Sequence, residues 1–418
     1  MRITDVVVTP IAFPDPPLLN SVGVHEPWVL RTVVEVRTDA GLTGLGETYG
    51  DIGHLNRVLA AAPALTGLDV HDLNGIRARV STALGGQAGS DRHGLTGQLT
   101  VESTVDRVFS PFEVATWDIR GKALERPVVD LLGGAVRDAV PYSAYLFYKW
   151  AGHPGAEPDG WGAALDVDGV VAQARELTRR HGFRSIKLKG GVLPPDEEVA
   201  AIRALREAFP DHPLRLDPNA AWSPETGLKV AHELDGVLEY LEDPSPEIAG
   251  MAEVAAGSPL PLATNMCTIA FEHLAPSVAA GAVQVVLSDH HYWGGLARTK
   301  ELAAICRAFG LGLSMHSNSH LGVSLAAMTH LAAATPNLDY ACDTHYPWNS
   351  EWDVLTEPLS FVDGALPVPA GPGLGIELDR DKLAALAENY RRCGIVQRDD
   401  TGYMRTIDPS YERKRPRW

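Results

Sequence analysis

The chain is poor in the features that mark several protein classes. It has four cysteines in 418 residues (Cys267, Cys306, Cys342, Cys393), with no CxxC spacing. A chain of this length needs no disulfide staples, so reduced thiols and a cytoplasmic setting are the expectation. It is short of positive charge: 36 Lys and Arg against 53 Asp and Glu leave a net charge of −17. Such a surface repels phosphate backbones and anionic lipid, which argues against nucleic-acid binding. No apolar run approaches the roughly 18 residues of a membrane span. The segment Met1-Arg-Ile-Thr-Asp-Val-Val-Val8 has no apolar core followed by a small-residue cleavage site, so neither a membrane nor a secretory reading is supported. A dinucleotide-type glycine motif is also missing, because Gly41-Leu-Thr-Gly-Leu-Gly46 falls in a predicted hairpin.

What the chain has is a ladder. Seven polar residues end apolar, strand-like runs: Lys189, Asp217, Glu242, Asn265, Asp289, His316 and Asp343, spaced by 28, 25, 23, 24, 27 and 27 residues. One strand, one helix and two loops need about that much chain. The preceding pattern differs. A strand over 3–13, a hairpin of Val29–Val36 with Leu42–Glu47, and helices over 54–62, 71–84 and 111–132 (the last broken near Pro127) form an α+β segment, residues 1–138. From Val140 strands and helices alternate strictly. With the strand at Pro141–Phe147 the ladder gives eight strands, so residues 139–370 are predicted to close a parallel β/α barrel of TIM type. Residues 371–418 form a tail, preceded by a strand-like stretch at Leu359–Val362 and containing a helix over 380–392.

In such a barrel every strand's carboxyl end points to one face, which carries the chemistry. Asp217, Glu242 and Asn265 end three consecutive strands and offer only oxygen, which suits a hard cation such as Mg²⁺. Each acid alone could merely cap the next helix; three together favour the metal site. Asp243, adjacent to Glu242, should point to the other side of its strand and ranks behind it. Lys187 and Lys189 share a strand face, and desolvation with a second ammonium should lower a lysine toward neutrality and make it a base. Asp289 and His316 end neighbouring strands, where the carboxylate can fix the imidazole tautomer. His320, four residues on, is a rival base. A lysine base facing a histidine base suits removal of the proton next to a carboxylate, with the metal stabilising the ene-diolate.

These residues resemble the enolase superfamily of mandelate racemase and muconate lactonizing type, and within it the glucarate dehydratases. The likeness runs nearly end to end, through Asn20-Ser-Val-Gly-Val-His-Glu-Pro27, Gly44-Leu-Gly-Glu47, Tyr145-Leu-Phe147, Lys187-Leu-Lys-Gly-Gly191 and Leu216-Asp-Pro-Asn219. It continues in Glu242-Asp-Pro244, Ala263-Thr-Asn-Met266, His316-Ser-Asn318, Asp343-Thr-His345 and Arg398-Asp-Asp400. The resemblance implies a capping domain built from both termini and Mg²⁺ on Asp217, Glu242 and Asn265. It implies Lys189 as one base, and His316, backed by Asp289, as the other and as the acid for the departing β-hydroxyl. Asn265 as third ligand is characteristic of that subgroup. His25, Tyr145, Asn219, Asn318, His345 and Arg398 fall where that family contacts a diacid sugar, an aldarate. Ser110, before Pro111, stands where the family has a threonine. Segments 83–108 and 149–161 resemble the family least, and the second, with Trp150 and Trp161, is expected near the cap and the pocket. The expected activity is acid-sugar dehydration to a 2-keto-3-deoxy acid, by a homo-oligomer. The alternatives are epimerisation or racemisation with the same two bases, dehydration of another aldarate or an aldonate, and binding of a sugar acid without catalysis.

Overall fold

The computed structural model describes residues 1–90 and 99–418. A three-stranded antiparallel sheet opens the chain: β1 (Ile3–Pro14), β2 (Trp28–Thr38) and β3 (Thr43–Tyr49), in that order. It is backed by α1 (Ile52–Ala61), α2 (Leu73–Leu84) and α3 (Val101–Leu124). The sequence pattern placed the start of α3 at Pro111, but the helix begins ten residues earlier. Thr100 and Ser103 satisfy each other's backbone amides in a capping box, and that start signal outweighs the proline. Pro111 sits inside α3, which ends at Leu124, before the expected break near Pro127.

Gly44 and Gly46 explain how closely α3 lies on the sheet. A Cβ on Gly44 would stand 1.9 Å from the Ala115 carbonyl oxygen, and one on Gly46 would stand 2.0 Å from that of Pro111. The glycines of this hairpin therefore serve helix packing, and only their lack of a side chain lets the two backbones meet.

Seven parallel strands follow in sequential order: β4 (Ala144–Phe147), β5 (Ile186–Lys189), β6 (Leu214–Asp217), β7 (Tyr240–Glu242), β8 (Leu262–Thr264), β9 (Val285–Ser288) and β10 (Gly312–Met315). The eighth predicted strand, at Tyr340–Asp343, is reduced to a bridge but still closes the ring. Asp343 N donates to Met315 O (2.9 Å) on one side, while Ser143 N donates to Cys342 O (2.8 Å) on the other. The predicted strand over 141–147 is split: Ala139–Pro141 pairs antiparallel with Ala365–Pro367, and β4 follows. Strand pairing in the tail thus falls at 365–367; at Leu359–Val362 only Val362 forms a bridge.

The barrel helices are α4 (Val167–His181), α5 (Pro195–Ala208), α6 (Pro224–Glu233), α7 (Glu247–Ala255), α8 (Phe271–Ala279), α9 (Leu296–Phe309) and α10 (Gly322–Ala333). All twelve residues of α10 are buried, as expected of a helix apolar on every side. The tail returns to the N-terminal part: α11 (Arg380–Arg392) packs on β1, and α12 (Asp400–Ile407) covers the short hairpin of Leu19–Asn20 with Gly23–Val24. Among the described residues no helix is long and apolar enough to cross a membrane.

Candidate active site

A cavity of about 210 Å³ lies between the strand ends and the N-terminal part. Among the sequence candidates His25, Tyr145, Lys189, Asn219, Asn265, His316, Asn318, His345 and Arg398 line it. Asp217 and Glu242 lie directly beneath, fully buried. One oxygen each of Asp217, Glu242 and Asp243 lie within 4.8 Å of one another. Packing like charges this tightly has a visible cost: burial and the neighbouring Asp217 carboxylate push Glu242 well above the usual carboxylate range. Among the described residues the buried Asn219 Oδ1 has no hydrogen-bond partner. An all-oxygen, anionic, desolvated cluster with an unused oxygen beside it fits a small divalent cation held by Asp217, Glu242 and Asn265.

Asp243 does not point away from this cluster. Its φ of 37° breaks the strand alternation, so its side chain swings back toward Asp217. Both its oxygens are then occupied, by Thr264 Oγ1 (2.5 Å) and by Asn265 N (2.9 Å). It anchors the Asn265 loop.

The lysines correct another expectation. Lys187 Nζ is 2.7 Å from both Glu242 Oε1 and Asp343 Oδ2, and Lys189 Nζ is 2.6 Å from Asp217 Oδ2. Burial works to lower Lys189, but Asp217 and its neighbours outweigh both burial and Lys187, and its ammonium is held above the usual lysine range. Like-charge repulsion is the weaker force here because the carboxylates are nearer. Lys187, wholly buried under the Tyr145 ring, acts as the counter-ion of the acid cluster.

Across the cavity His316 Nδ1 is 3.2 Å from Asp289 Oδ2. Burial lowers His316 below its usual value while Asp289 partly offsets that, so its neutral, proton-accepting form is favoured near pH 7. His320 is buried outside the cavity, with Nε2 3.3 Å from Ser317 Oγ. Of the two, His316 lines the cavity and His320 does not. His345 lies against Tyr145 and Phe147, with ring centroids 4.7 and 5.2 Å apart. His25 Nδ1 contacts Asp15 Oδ2 (2.9 Å), and Arg398 forms a two-pronged pair with Asp400 (2.8 and 2.9 Å).

Ser110 is not brought to the cavity. It lies inside α3, fully buried, and donates to the His290 carbonyl oxygen at 2.8 Å. Loop 149–161 does not line the cavity either; His153 Nε2 contacts the backbone of Asp15 (2.7 Å), behind His25, and Trp161 packs on Trp348. Of segment 83–108, Gly89, Ser90, Leu99, Thr104 and Arg107 wall the cavity; residues 91–98 lie outside the described residues.

Sequence reasoning missed Arg31, Tyr49 and Tyr292, which complete the wall on the His316 side. Arg31 NH1 donates to Asn318 Oδ1 (3.0 Å), Asn318 Nδ2 donates to Tyr49 OH (2.6 Å), and the Tyr292 ring stacks near His316. The signal was an arginine in the middle of Val29-Leu-Arg-Thr-Val-Val34, where a buried charge demands a partner.

Residues 3–133 match the N-terminal domain of the mandelate racemase / muconate lactonizing enzyme family, and residues 169–382 match the enolase C-terminal domain-like family. The chain belongs to the mandelate racemase / muconate lactonizing enzyme family. It is an enzyme of that family, in the enolase superfamily. A Streptomyces coelicolor protein named probable glucarate dehydratase is 56% identical, over 100% of this chain and 99% of its own length. An enolase structure from Thermobispora bispora, complexed with magnesium and formate, superposes with a TM-score of 0.99 at 64% identity and full coverage of both chains. Another from Mycobacterium smegmatis, complexed with tartrate, gives 0.96 at 67% identity, over 100% of this chain and 98% of that one. In this family member the barrel rim carries the acid cluster, Lys189 and His316.

Proposed function

We propose that the chain is a Mg²⁺-dependent dehydratase of an acid sugar, glucarate or a close aldarate, giving a 2-keto-3-deoxy acid. The observation that carries this reading is one cavity lined by Lys189, Asn265 and His316, with the buried Asp217 carboxylate 2.6 Å from Lys189 and Glu242 beside it. The magnesium-bound and tartrate-bound relatives, the second holding a small hydroxy diacid, support both halves of it. Asp217, Glu242 and Asn265 would hold Mg²⁺, which would supply positive charge to offset the charge developing on the substrate carboxylate and would weaken the hold of Asp217 on the Lys189 proton.

Lys189 or His316, depending on the configuration of the carbon beside the carboxylate, then takes the α-proton. The electron pair left on that carbon expels the β-hydroxyl, which leaves as water with a proton from His316, either the one that ring has just taken from the α-carbon or, where Lys189 is the base, one the ring must already carry, and the enol product tautomerises to the keto acid. Asn219, Asn318, His345 and Tyr145 face the reacting end. His25 and Arg398 face the far end, where a second carboxylate would lie. Four free cysteines suit a reducing compartment, in keeping with a cytoplasmic catabolic role.

The test is incubation with Mg²⁺ and a panel of mono- and diacid sugars in D₂O, following keto-acid formation. Keto acid from glucarate is the expected result. Deuterium uptake without keto acid would mean epimerisation, and no reaction with any acid sugar would mean a binding protein.

A further inference from the structure

Asp289 serves two imidazoles, and only one of them lines the cavity. Its Oδ2 is the oxygen 3.2 Å from His316 Nδ1; its Oδ1 is 2.6 Å from Nδ1 of the buried His291. The other ring nitrogen of His291, Nε2, lies 3.3 Å from Arg31 NH2 and 2.8 Å from Ser324 Oγ. A guanidinium can only donate, so a nitrogen facing it must present its lone pair. The Ser324 hydroxyl can donate to the same nitrogen. With Nε2 unprotonated, the single ring proton of His291 sits on Nδ1 and points at Asp289.

Arg31 cannot easily turn away. Its Nε donates to Glu47 Oε1 at 2.8 Å, and the two oxygens of Glu47 also accept from Leu321 N and Ser324 N, both at 2.9 Å. We propose that His291, held as the Nδ1–H tautomer by Arg31, is a positioning residue for the His316 base. It occupies one oxygen of Asp289, so the other is presented to His316 Nδ1–H and His316 Nε2 is left without a proton on the cavity side. This rests on the reading of His316 as a base.

Arg31 on β2 faces His291 Nε2, and the Glu47 carboxylate on β3 is already engaged by Arg31. Tyr49 on β3 meets the ring edge at 5.6 Å and stays un-ionised, because burial pushes its hydroxyl up. His290 beside it and His320 beyond β10 are both held well below the usual histidine range, chiefly by burial, so neither adds charge.

The consequence is a tuned dyad. Asp289 shares its charge among His291 Nδ1–H, the His291 amide (2.9 Å), Asn318 Nδ2 (3.3 Å) and His316, and so pulls less strongly on the His316 proton. Two variants and one spectroscopic measurement test this. In His291→Leu the carboxylate loses a donor, so the acid limb of kcat/KM should move up by about one pH unit. On the acid side of the shifted limb kcat should fall about tenfold while KM stays within about threefold, the split expected of a base that holds its proton more tightly. His291→Asn places an amide N–H where Nδ1–H was and should restore the limb.

Imidazole ¹⁵N shifts of the labelled wild-type protein should show His291 protonated on Nδ1 and bare on Nε2. A folded His291→Leu protein with unchanged limb and kcat overturns the inference. So does a ¹⁵N spectrum with the proton on Nε2, or on both nitrogens, whether or not any acid sugar turns over. If the spectrum shows the Nδ1–H tautomer but no acid sugar reacts, the proposed function falls and the wiring of the dyad stands.

Discussion

Lys189 and His316 reach opposite protonation states for opposite reasons, and both follow from what lies within 4 Å. Lys189 is held protonated by the Asp217 carboxylate, whereas His316 is pushed toward neutrality by burial that Asp289 only partly offsets. The pH dependence follows in sign. A base that must be unprotonated and whose pKa lies below the ordinary histidine value gives an acid limb of kcat/KM below about pH 6.5. A limb well above that value would show that His316 is not the group titrating. Lys189→Ala should lower turnover by about 10²–10⁴-fold, the usual worth of a positioned base. The variant should still show a Mg²⁺-dependent thermal shift, because it removes no metal ligand. Most of these residues were legible in the sequence because strand ends of a barrel face one rim, and period and polarity suffice to find them. The protonation of Lys189 was not, because it depends on which charge is nearer in space. Asp243 was misjudged for a local reason, since a single positive φ overrides the two-residue alternation of a strand.

At the scale of elements, two carboxylates of the N-terminal part complete helices of the barrel. Glu113 on α3 accepts from Leu296 N (2.8 Å) and Ala297 N (2.9 Å) at the start of α9. Glu47 on β3 does the same for Leu321 and Ser324 at the start of α10. A negative charge at a helix N-terminus satisfies open amides and meets the positive end of the helix dipole. Burial nevertheless pushes Glu113 from its ordinary 4.5 up to about 7, against the bonds from Ala297, Leu296 and Trp117. In the window between those values the native state holds a proton that the unfolded chain has lost. Stability from this group is therefore greatest at the acid end and declines as pH rises toward about 7. Glu113→Gln, which keeps one acceptor and orphans one amide, should cost about 1–3 kcal/mol in denaturant unfolding at pH 7. It should also flatten the fall of melting temperature between pH 5 and 7, and an unchanged slope would remove Glu113 from that account. These links were invisible in the sequence. Helix periodicity locates an element, but the partner that fills its open end lies far away in the chain, 183 residues for Glu113 and Leu296 and 274 for Glu47 and Leu321. Helix α3 starts at Val101 rather than Pro111 because Thr100 and Ser103 cap it there and the proline is carried inside the helix.

For the whole molecule the barrel was legible from spacing, down to the number of strands, although the eighth survives only as a bridge between Ser143, Cys342 and Asp343, whereas the return of the tail to the N-terminal part was implied only by the resemblance. Asp217, Glu242 and Asp243 are buried together, so a divalent cation should stabilise the entire chain. At about a hundred times its Kd, Mg²⁺ is expected to add about 2.7 kcal/mol and raise the melting temperature by a few degrees. Chelation should reverse the rise and Asp217→Asn abolish it; a rise that persists in that variant would place the cation elsewhere. The Glu47 and Glu113 caps bear on how such enzymes can be rebuilt. Exchanging the N-terminal part for that of a relative, to graft a new specificity onto this barrel, would unplug two barrel helices unless the donor brings both acids in register. A chimera should therefore fail first in solubility and folding, before specificity can be read, and restoring those two side chains is the repair to try.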